Sequence, residues 1–368
     1  MSQMRVVYDY QIFNWQRYGG ISRYFCELAS RIDNFPATEA RFAAGLHVNE
    51  YLANDYQQLT VGKLRPENKL FNRVGELVNH RWSGYYLNSQ PPDILHYTHY
   101  RPQISVKNSI KVLTVYDMIY ELFFDPSIAD QDCTIAHKAT IVHTVDSIIC
   151  PSECSKRDLV EICQVDPAKV TVIYHGYGLT APVVIAPPVG IKPYILVVGE
   201  RCWYKNFDRL LQAYASNPCF YRDFDLRCFG AVPLTNQELE LIDRLGLPHE
   251  NIQWQTGNDA ELVGLYQQAA LFVYPSLYEG FGYPPLEAMA AGCPVACANT
   301  SCFPETIANA AELFDPYDVE AIAQAIQNVL YDSVRSTELV ELGKQNIQRF
   351  SWDRCAAEHH QVYQSLVN

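Results

Sequence analysis

A chain of 368 residues is about two domains' worth, and a hydrophobic content of 48% is ample for two cores. The formal net charge of −13 argues against a nucleic-acid partner. The excess is uneven: residues 1–180 carry 17 Lys and Arg against 19 Asp and Glu, and the remainder 11 against 22. The near-neutral first half therefore tolerates an anionic acceptor or a membrane surface better than the second, which leaves room for peripheral membrane contact through the N-terminal domain.

In chain order, a strand from Arg5 to Tyr8 comes at once, with no signal peptide ahead of it. Strands follow at Ala40 to Leu46, Ile94 to Tyr97, Lys111 to Tyr116, Ser147 to Cys150 and Val170 to Tyr174. Pro182, Pro187, Pro188 and Pro193 then crowd a segment that suits neither a helix nor a central strand, so residues 181–193 read as a linker. A second series runs through Tyr194 to Gly199, Leu226 to Gly230, Ile252 to Gln255, Leu271 to Tyr274 and Val295 to Ala298. Strands alternating with helices predict an α/β protein in which a parallel sheet covered by helices is built twice, over residues 1–180 and 194–353. The 12 cysteines are scattered among apolar segments and read as reduced core thiols in a cytoplasmic protein. Neither Cys150-x3-Cys154 nor Cys293-x3-Cys297 has zinc-site spacing, so no metal is expected. No apolar run approaches the roughly 20 residues that span a bilayer.

The chemistry concentrates after the strand Leu271 to Tyr274. Gly280 and Gly282 let the backbone approach a ligand closely, and a helix opening at Pro284-Pro285 and stopping at Gly292 aims its start at that place, which favours an anion such as a diphosphate. Glu287, expected in the first helical turn, can accept hydrogen bonds from two neighbouring hydroxyls such as those of a ribose. Glu279 precedes the loop and reaches another part of the same ligand. The stretch reads as a sugar-nucleotide site; an isolated pair of glutamates on an ordinary strand-loop-helix unit is the plainer reading.

The Glu279-to-Glu287 E-x7-E pattern, with Gly280-Phe281-Gly282 and Leu286-Glu287-Ala288-Met289-Ala290, resembles the donor site of the retaining glycosyltransferases of family 4. The likeness continues through Gly292-Cys293-Pro294-Val295 and Ser301-Cys302-Phe303-Pro304-Glu305, and at the C-terminus through Arg349-Phe350-Ser351-Trp352. It implies the glycosyltransferase B fold: two Rossmann-like doubly wound domains facing across a cleft, with a C-terminal helix at 354–368 returning to the first domain. Gly199-Glu200-Arg201, followed by Lys205-Asn206, resembles the family's diphosphate-binding segment. Arg201 and Lys205 are a cationic pair suited to the charge that gathers on a departing nucleoside diphosphate. The donor residues implied are Gly20, Gly199, Arg201, Lys205, Thr256, Gly257, Glu279, Gly280, Phe281, Gly282 and Glu287.

On the acceptor side the resemblance implies Gly19, His99, Tyr116 and Asp117. Tyr116 stands where the family usually has histidine, so an imidazole role does not carry over; Asp117 is retained and could orient the acceptor hydroxyl or merely cap a turn. His99 shares its strand end with His96, and packing competes with acceptor contact there. The implied catalytic set is Glu279, Asp117, Arg201 and Lys205, with no cofactor. The implied activity is retaining, metal-independent transfer of a hexose from a nucleoside-diphosphate sugar to a hydroxyl of a glycan or glycolipid in polysaccharide or lipopolysaccharide-type biosynthesis, with GDP-mannose the donor its frequency in the family favours. A sugar-nucleotide epimerase of the same architecture and a catalytically silent glycan-binding subunit are the competing readings.

Overall fold

The computed structural model describes residues 3–66, 69–101, 104, 106–124, 131–178 and 192–368, with the side chains of 69–74 left aside. Residues 181–191 of the expected linker lie outside the described residues. The chain divides into two compact units, one of Met1–Gly176 with Ser351–Asn368 and one of Tyr177–Phe350.

The first unit is built on seven strands: β1 (Met4–Tyr8), β2 (Thr38–His47), β3 (Thr60–Leu64), β4 (Ile94–Tyr97), β5 (Ile110–Thr114), β6 (Ser147–Cys150) and β7 (Val170–Val172). They pair in parallel in the order β3-β2-β1-β4-β5-β6-β7. β4 and β6 are buried along their whole length because helices cover both faces, and this is why they read as continuous apolar runs rather than alternating ones. The order reverses between β1 and β4. Ligands of open α/β sheets collect beyond the carboxyl ends of strands at such a reversal.

The helix Gly20–Ile32 buries Tyr24, Phe25, Leu28 and Ile32, a helical spacing that places one stripe toward the sheet and the last helix, Trp352–Val367. That last helix starts where the Ser351 hydroxyl accepts the Arg354 N–H at 3.1 Å. It is joined to the sheet by a buried polar relay. His359 Nδ1 lies 2.7 Å from the Cys355 carbonyl and so carries the proton, leaving Nε2 to accept the Tyr24 hydroxyl at 2.7 Å. Tyr24 meets the Thr114 hydroxyl at 3.1 Å, and Thr114 meets His96 Nε2 at 2.9 Å. The far nitrogen of His96 takes the Tyr363 hydroxyl at 2.6 Å. Pairing every group in this way makes tolerable the burial of polar atoms that would otherwise each cost on the order of 1–3 kcal/mol.

The second unit repeats the plan with β8 (Tyr194–Val198), β9 (Asp225–Phe229), β10 (Ile252–Gln255), β11 (Leu271–Tyr274), β12 (Val295–Ala298) and β13 (Glu312–Phe314), all parallel in the order β10-β9-β8-β11-β12-β13. Its reversal falls between β8 and β11, the strands whose ends carry Gly199 and Glu279. Two strands were not foreseen, β3 and β13. The first is an edge strand containing Gly62 and the exposed Lys63, and the second has only three residues. The twelve cysteines are free thiols.

Candidate active site

β11 ends at Tyr274, buried on its strand, and the next residues turn the chain so that Glu279 comes back beneath the tyrosine hydroxyl. Tyr274 Oη donates to Glu279 Oε1 at 3.0 Å. Lys205 Nζ reaches the same carboxylate oxygen at 2.5 Å and Tyr274 Oη at 2.9 Å. Lys205 gets there because Asn206, in a left-handed conformation at φ 60°, sends its side-chain amide to the carbonyls of Pro275 (3.2 Å) and Pro316 (2.7 Å). The carboxamide thus pins the end of β8 to the end of β11, and the Leu277 N–H adds a bond to the Tyr204 carbonyl at 2.8 Å. Glu279 is held from the other side, its own N–H donating to Ser301 Oγ at 3.1 Å, where Ser301 has φ 51°.

The side chains of Lys205 and Glu279 retain 17% and 13% exposure, so the pair is sheltered yet reachable. Burial pulls the Lys205 ammonium down, but Glu279, with Tyr204 beside it, outweighs that and leaves it above its ordinary value. The lysine is therefore a permanent cation at neutral pH. Burial, and after it the Glu279 carboxylate, pushes the Tyr274 hydroxyl well up, so it stays a neutral donor.

Gly282 caps the helix Tyr283–Ala290 at φ 87°, and a Cβ there would meet the Phe303 ring at 2.8 Å. Glycine is required on both counts. The helix begins one residue before the prolines, which puts Pro284 and Pro285 at its second and third positions and leaves Gly282 and Tyr283 to supply the amides of the helix start. The helix start therefore offers half the backbone amides expected of it. Glu287 is the fifth residue of the helix, in its second turn rather than its first, half-buried and 3.5 Å from Tyr266 Oη. Phe281 is buried against Tyr283 and Phe350, with ring centroids 5.3 and 5.6 Å away, so any ligand contact at this position falls to its backbone.

Gly199 and Gly230 end the adjacent strands β8 and β9. Gly199 has φ 111° and open space where a side chain would stand, while a Cβ on Gly230 would strike the Gly199 carbonyl oxygen at 2.7 Å. Thr256 and Gly257 are exposed beyond β10. Arg201 does not join Lys205. Its Nε donates to Glu238 Oε1 at 2.7 Å, and its Nη2 to Glu238 Oε2 (3.3 Å) and to the carbonyls of Val232 (3.0 Å) and Pro233 (2.8 Å).

In the first unit the acceptor-side residues are more occupied than their sequence suggested. Tyr116 is buried, its hydroxyl donating to the Thr98 carbonyl at 3.1 Å. Asp117 accepts the Ile119 N–H at 3.0 Å in a turn ahead of the short helix Ile119–Leu122, whose N-cap is Met118. His99 is half-buried between Trp15 and Tyr100, and burial, followed by Arg101 and Lys138, lowers its imidazole to about 3; it is neutral at physiological pH. Gly19 and Gly20 begin the helix Gly20–Ile32, where the Gln16 side chain already accepts the Ser22 N–H at 3.1 Å. Among the described residues no group of three or more His, Cys, Asp or Glu gathers as a metal site, and no helix is long and apolar enough to cross a membrane. Tyr274 and Glu238 were missed, and Asn206 and Ser301 were named only as members of motifs; the position of Tyr274 at a strand's carboxyl end could have signalled it.

Residues 18–180 match the family model described as Glycosyltransferase Family 4, and residues 187–348 match Glycosyl transferases group 1. The chain is 41% identical to O-antigen chain mannosyltransferase B of Escherichia coli over 108 residues, 29% of this chain and 28% of that protein. It is 32% identical to the MMP alpha-(1->4)-mannosyltransferase of Mycolicibacterium hassiacum over 237 residues, 62% of this chain and 56% of that protein. The aligned portions thus span about a quarter to about half the length of these curated relatives. Among solved structures, a glycosyltransferase from Rickettsia africae superimposes with a TM-score of 0.73 at 18% identity, covering 100% of both chains. WaaG, a glycosyltransferase involved in lipopolysaccharide biosynthesis, does so with a TM-score of 0.71 at 16% identity, covering 98% of this chain and 99% of its own. These structural likenesses establish the glycosyltransferase B fold.

Proposed function

The chain belongs to glycosyltransferase family 4, and from that premise we propose that it is a retaining, metal-independent hexosyltransferase that moves mannose from GDP-mannose to a hydroxyl of a growing glycan or glycolipid. The observation that carries the reading is the Lys205–Glu279–Tyr274 cluster, in which one sheltered cation and one sheltered carboxylate meet at the ends of β8 and β11. Two of the relatives support the sugar: both are mannosyltransferases by name.

In this reading Lys205 holds the diphosphate and meets the charge that builds on it as the bond from phosphate oxygen to the sugar's anomeric carbon breaks. Tyr274 and Ser301 hold Glu279 against the transferred sugar, and Glu287 takes the ribose hydroxyls. The acceptor hydroxyl attacks from the face the phosphate leaves and gives its proton to a phosphate oxygen, so configuration is kept without a covalent sugar on the enzyme. Gly19, His99 and Asp117 border the acceptor.

Peripheral contact with the cytoplasmic membrane face fits the first unit. Leu46, Leu64, Leu77, Val78 and Tyr85 are exposed there, with the exposed Lys63 and Arg81 among them, a mixture suited to an anionic lipid surface. Incubating the enzyme with radiolabelled GDP-mannose and a lipid-linked glycan, then assigning the new linkage by NMR, tests the proposal. An α-mannosidic product supports it. An inverted linkage, release of free mannose alone, or conversion of the donor into an epimer overturns it.

A further inference from the structure

Arg201 is the one cation of the expected pair that the structure takes away from Glu279, and the way it is held has a direction. Its side chain is 5% exposed and that of Glu238 8%. Nε and Nη2 face Glu238 and the carbonyls of Val232 and Pro233. The guanidinium carbon lies 5.6 Å from the centre of the Phe207 ring, two residues beyond Lys205. Nη1 makes no hydrogen bond among the described residues. An arginine fixed along one edge, over a ring, presents its remaining nitrogen, Nη1, in a single orientation, with N–H donors for phosphate oxygens that a mobile lysine does not hold in place.

Glu238 can hold the arginine because it is itself fixed. It is the third residue of the helix Asn236–Arg244, where Thr235 Oγ accepts its N–H at 3.2 Å and its own Oε2 accepts the Thr235 N–H at 2.6 Å. One carboxylate thus closes a helix start and aims a cation. A capping glutamate needs no buried partner, and most are solvated. This one lies 37 positions from the arginine it meets, on the helix that follows β9 and Gly230.

We propose that Glu238 is a positioning residue for the transfer reaction, holding Arg201 by its Nε edge so that its Nη1 edge is presented to the diphosphate of the donor. Glu238 touches no substrate; it acts through Arg201. The inference rests on the donor reading above and adds to it a residue on which diphosphate recognition depends.

The test compares binding of a nucleoside diphosphate with its monophosphate, by titration calorimetry, using whichever of GDP, UDP and ADP the wild-type protein binds most tightly. Arg201→Ala and Glu238→Ala should each weaken the diphosphate by about tenfold or more, the scale of one charged hydrogen bond, and the monophosphate by much less. The double variant should lose no more than either single one, because both changes remove one presented guanidinium. Glu238→Gln keeps one acceptor oxygen, which serves either Arg201 Nε or the Thr235 N–H but not both, and should recover part of the affinity that Glu238→Ala loses. Thr235→Ala weakens the same helix start without touching Arg201, and should leave the preference for diphosphate intact. If Arg201→Ala keeps the preference, or no nucleotide binds, the donor reading fails and this inference with it. If Arg201→Ala loses the preference while Glu238→Ala keeps it, or if Thr235→Ala loses it as fully as Glu238→Ala, only the positioning role is overturned.

Discussion

The buried relay of the first unit makes its stability depend on pH in a way that one substitution can isolate. His359 has no room for a second proton: Nδ1–H is spent on the Cys355 carbonyl, and a proton on Nε2 would face the Tyr24 O–H, which already points at that nitrogen. Burial lowers this imidazole from 6.5 to about 4. A depressed histidine value means that the unfolded chain takes up its proton first, so stability rises with pH, and the contribution drains away as pH falls from about 6.5 toward 4. With those two values, the loss between pH 7 and pH 5 is about 2 kcal/mol, approaching about 3 kcal/mol once pH is below 4. Replacing His359 by glutamine supplies a carbonyl that can accept from Tyr24 and removes the titration. The assay is native-state hydrogen exchange of residues 352–367, read by mass spectrometry at several pH values between 7 and 5, each corrected for intrinsic exchange. The opening free energy of the natural protein minus that of His359→Gln should fall by about 2 kcal/mol across the interval. His96 and His175 are also lowered, first by burial and then by His359, so the burial part is common to both proteins and only the part owed to His359 changes with the substitution. A difference that stays constant with pH would refute the reasoning.

Three further outcomes follow from the second unit. Lys205→Ala should lower transfer by roughly two to three orders of magnitude, the scale of losing one charge-stabilising donor, and steady-state kinetics on the folded variant showing near-normal turnover would remove the lysine from the mechanism. Turnover should survive exhaustive chelation; activity lost to EDTA and restored by magnesium or manganese would contradict metal independence. Gly282→Ala should destabilise the second unit by at least about 1–2 kcal/mol, because alanine must adopt φ 87° and its methyl must displace the Phe303 ring; an unchanged melting temperature would show that the loop relaxes freely.

The strands that carry the two sheets were legible because they are buried along most of their length, which leaves an unbroken apolar signature in β4, β6, β8 and β11. β3 was not, since an edge strand with Gly62 and Lys63 shows water on one side and lacks that signature, and β13 is shorter than any window in which periodicity can be counted. Lys205 and Glu279 could be selected by residue type and strand-end position, but their contact spans 74 positions and nothing local encodes it. Residue type also hides burial. Phe281 and Tyr116 sit in loops that suggest ligand contact, yet the space beneath each is filled by its own ring. Glu238 closes the helix start at Thr235, and its contact with Arg201 appears only when β9 is laid beside β8.

The division of the chain also sets an order of manufacture. Residues Ser351–Asn368 complete the unit that begins at Met1, and the whole of Tyr177–Phe350 is synthesised in between. At about 5–20 residues per second, the ribosome takes on the order of ten seconds or more to cross that interval. Throughout it, Tyr24, Thr114 and His96 have been made but lack the His359 and Tyr363 that satisfy them. The second unit is one continuous stretch, Tyr177–Phe350, and is made before the tail. A nascent chain of this protein therefore carries an unfinished first unit until the second has been made.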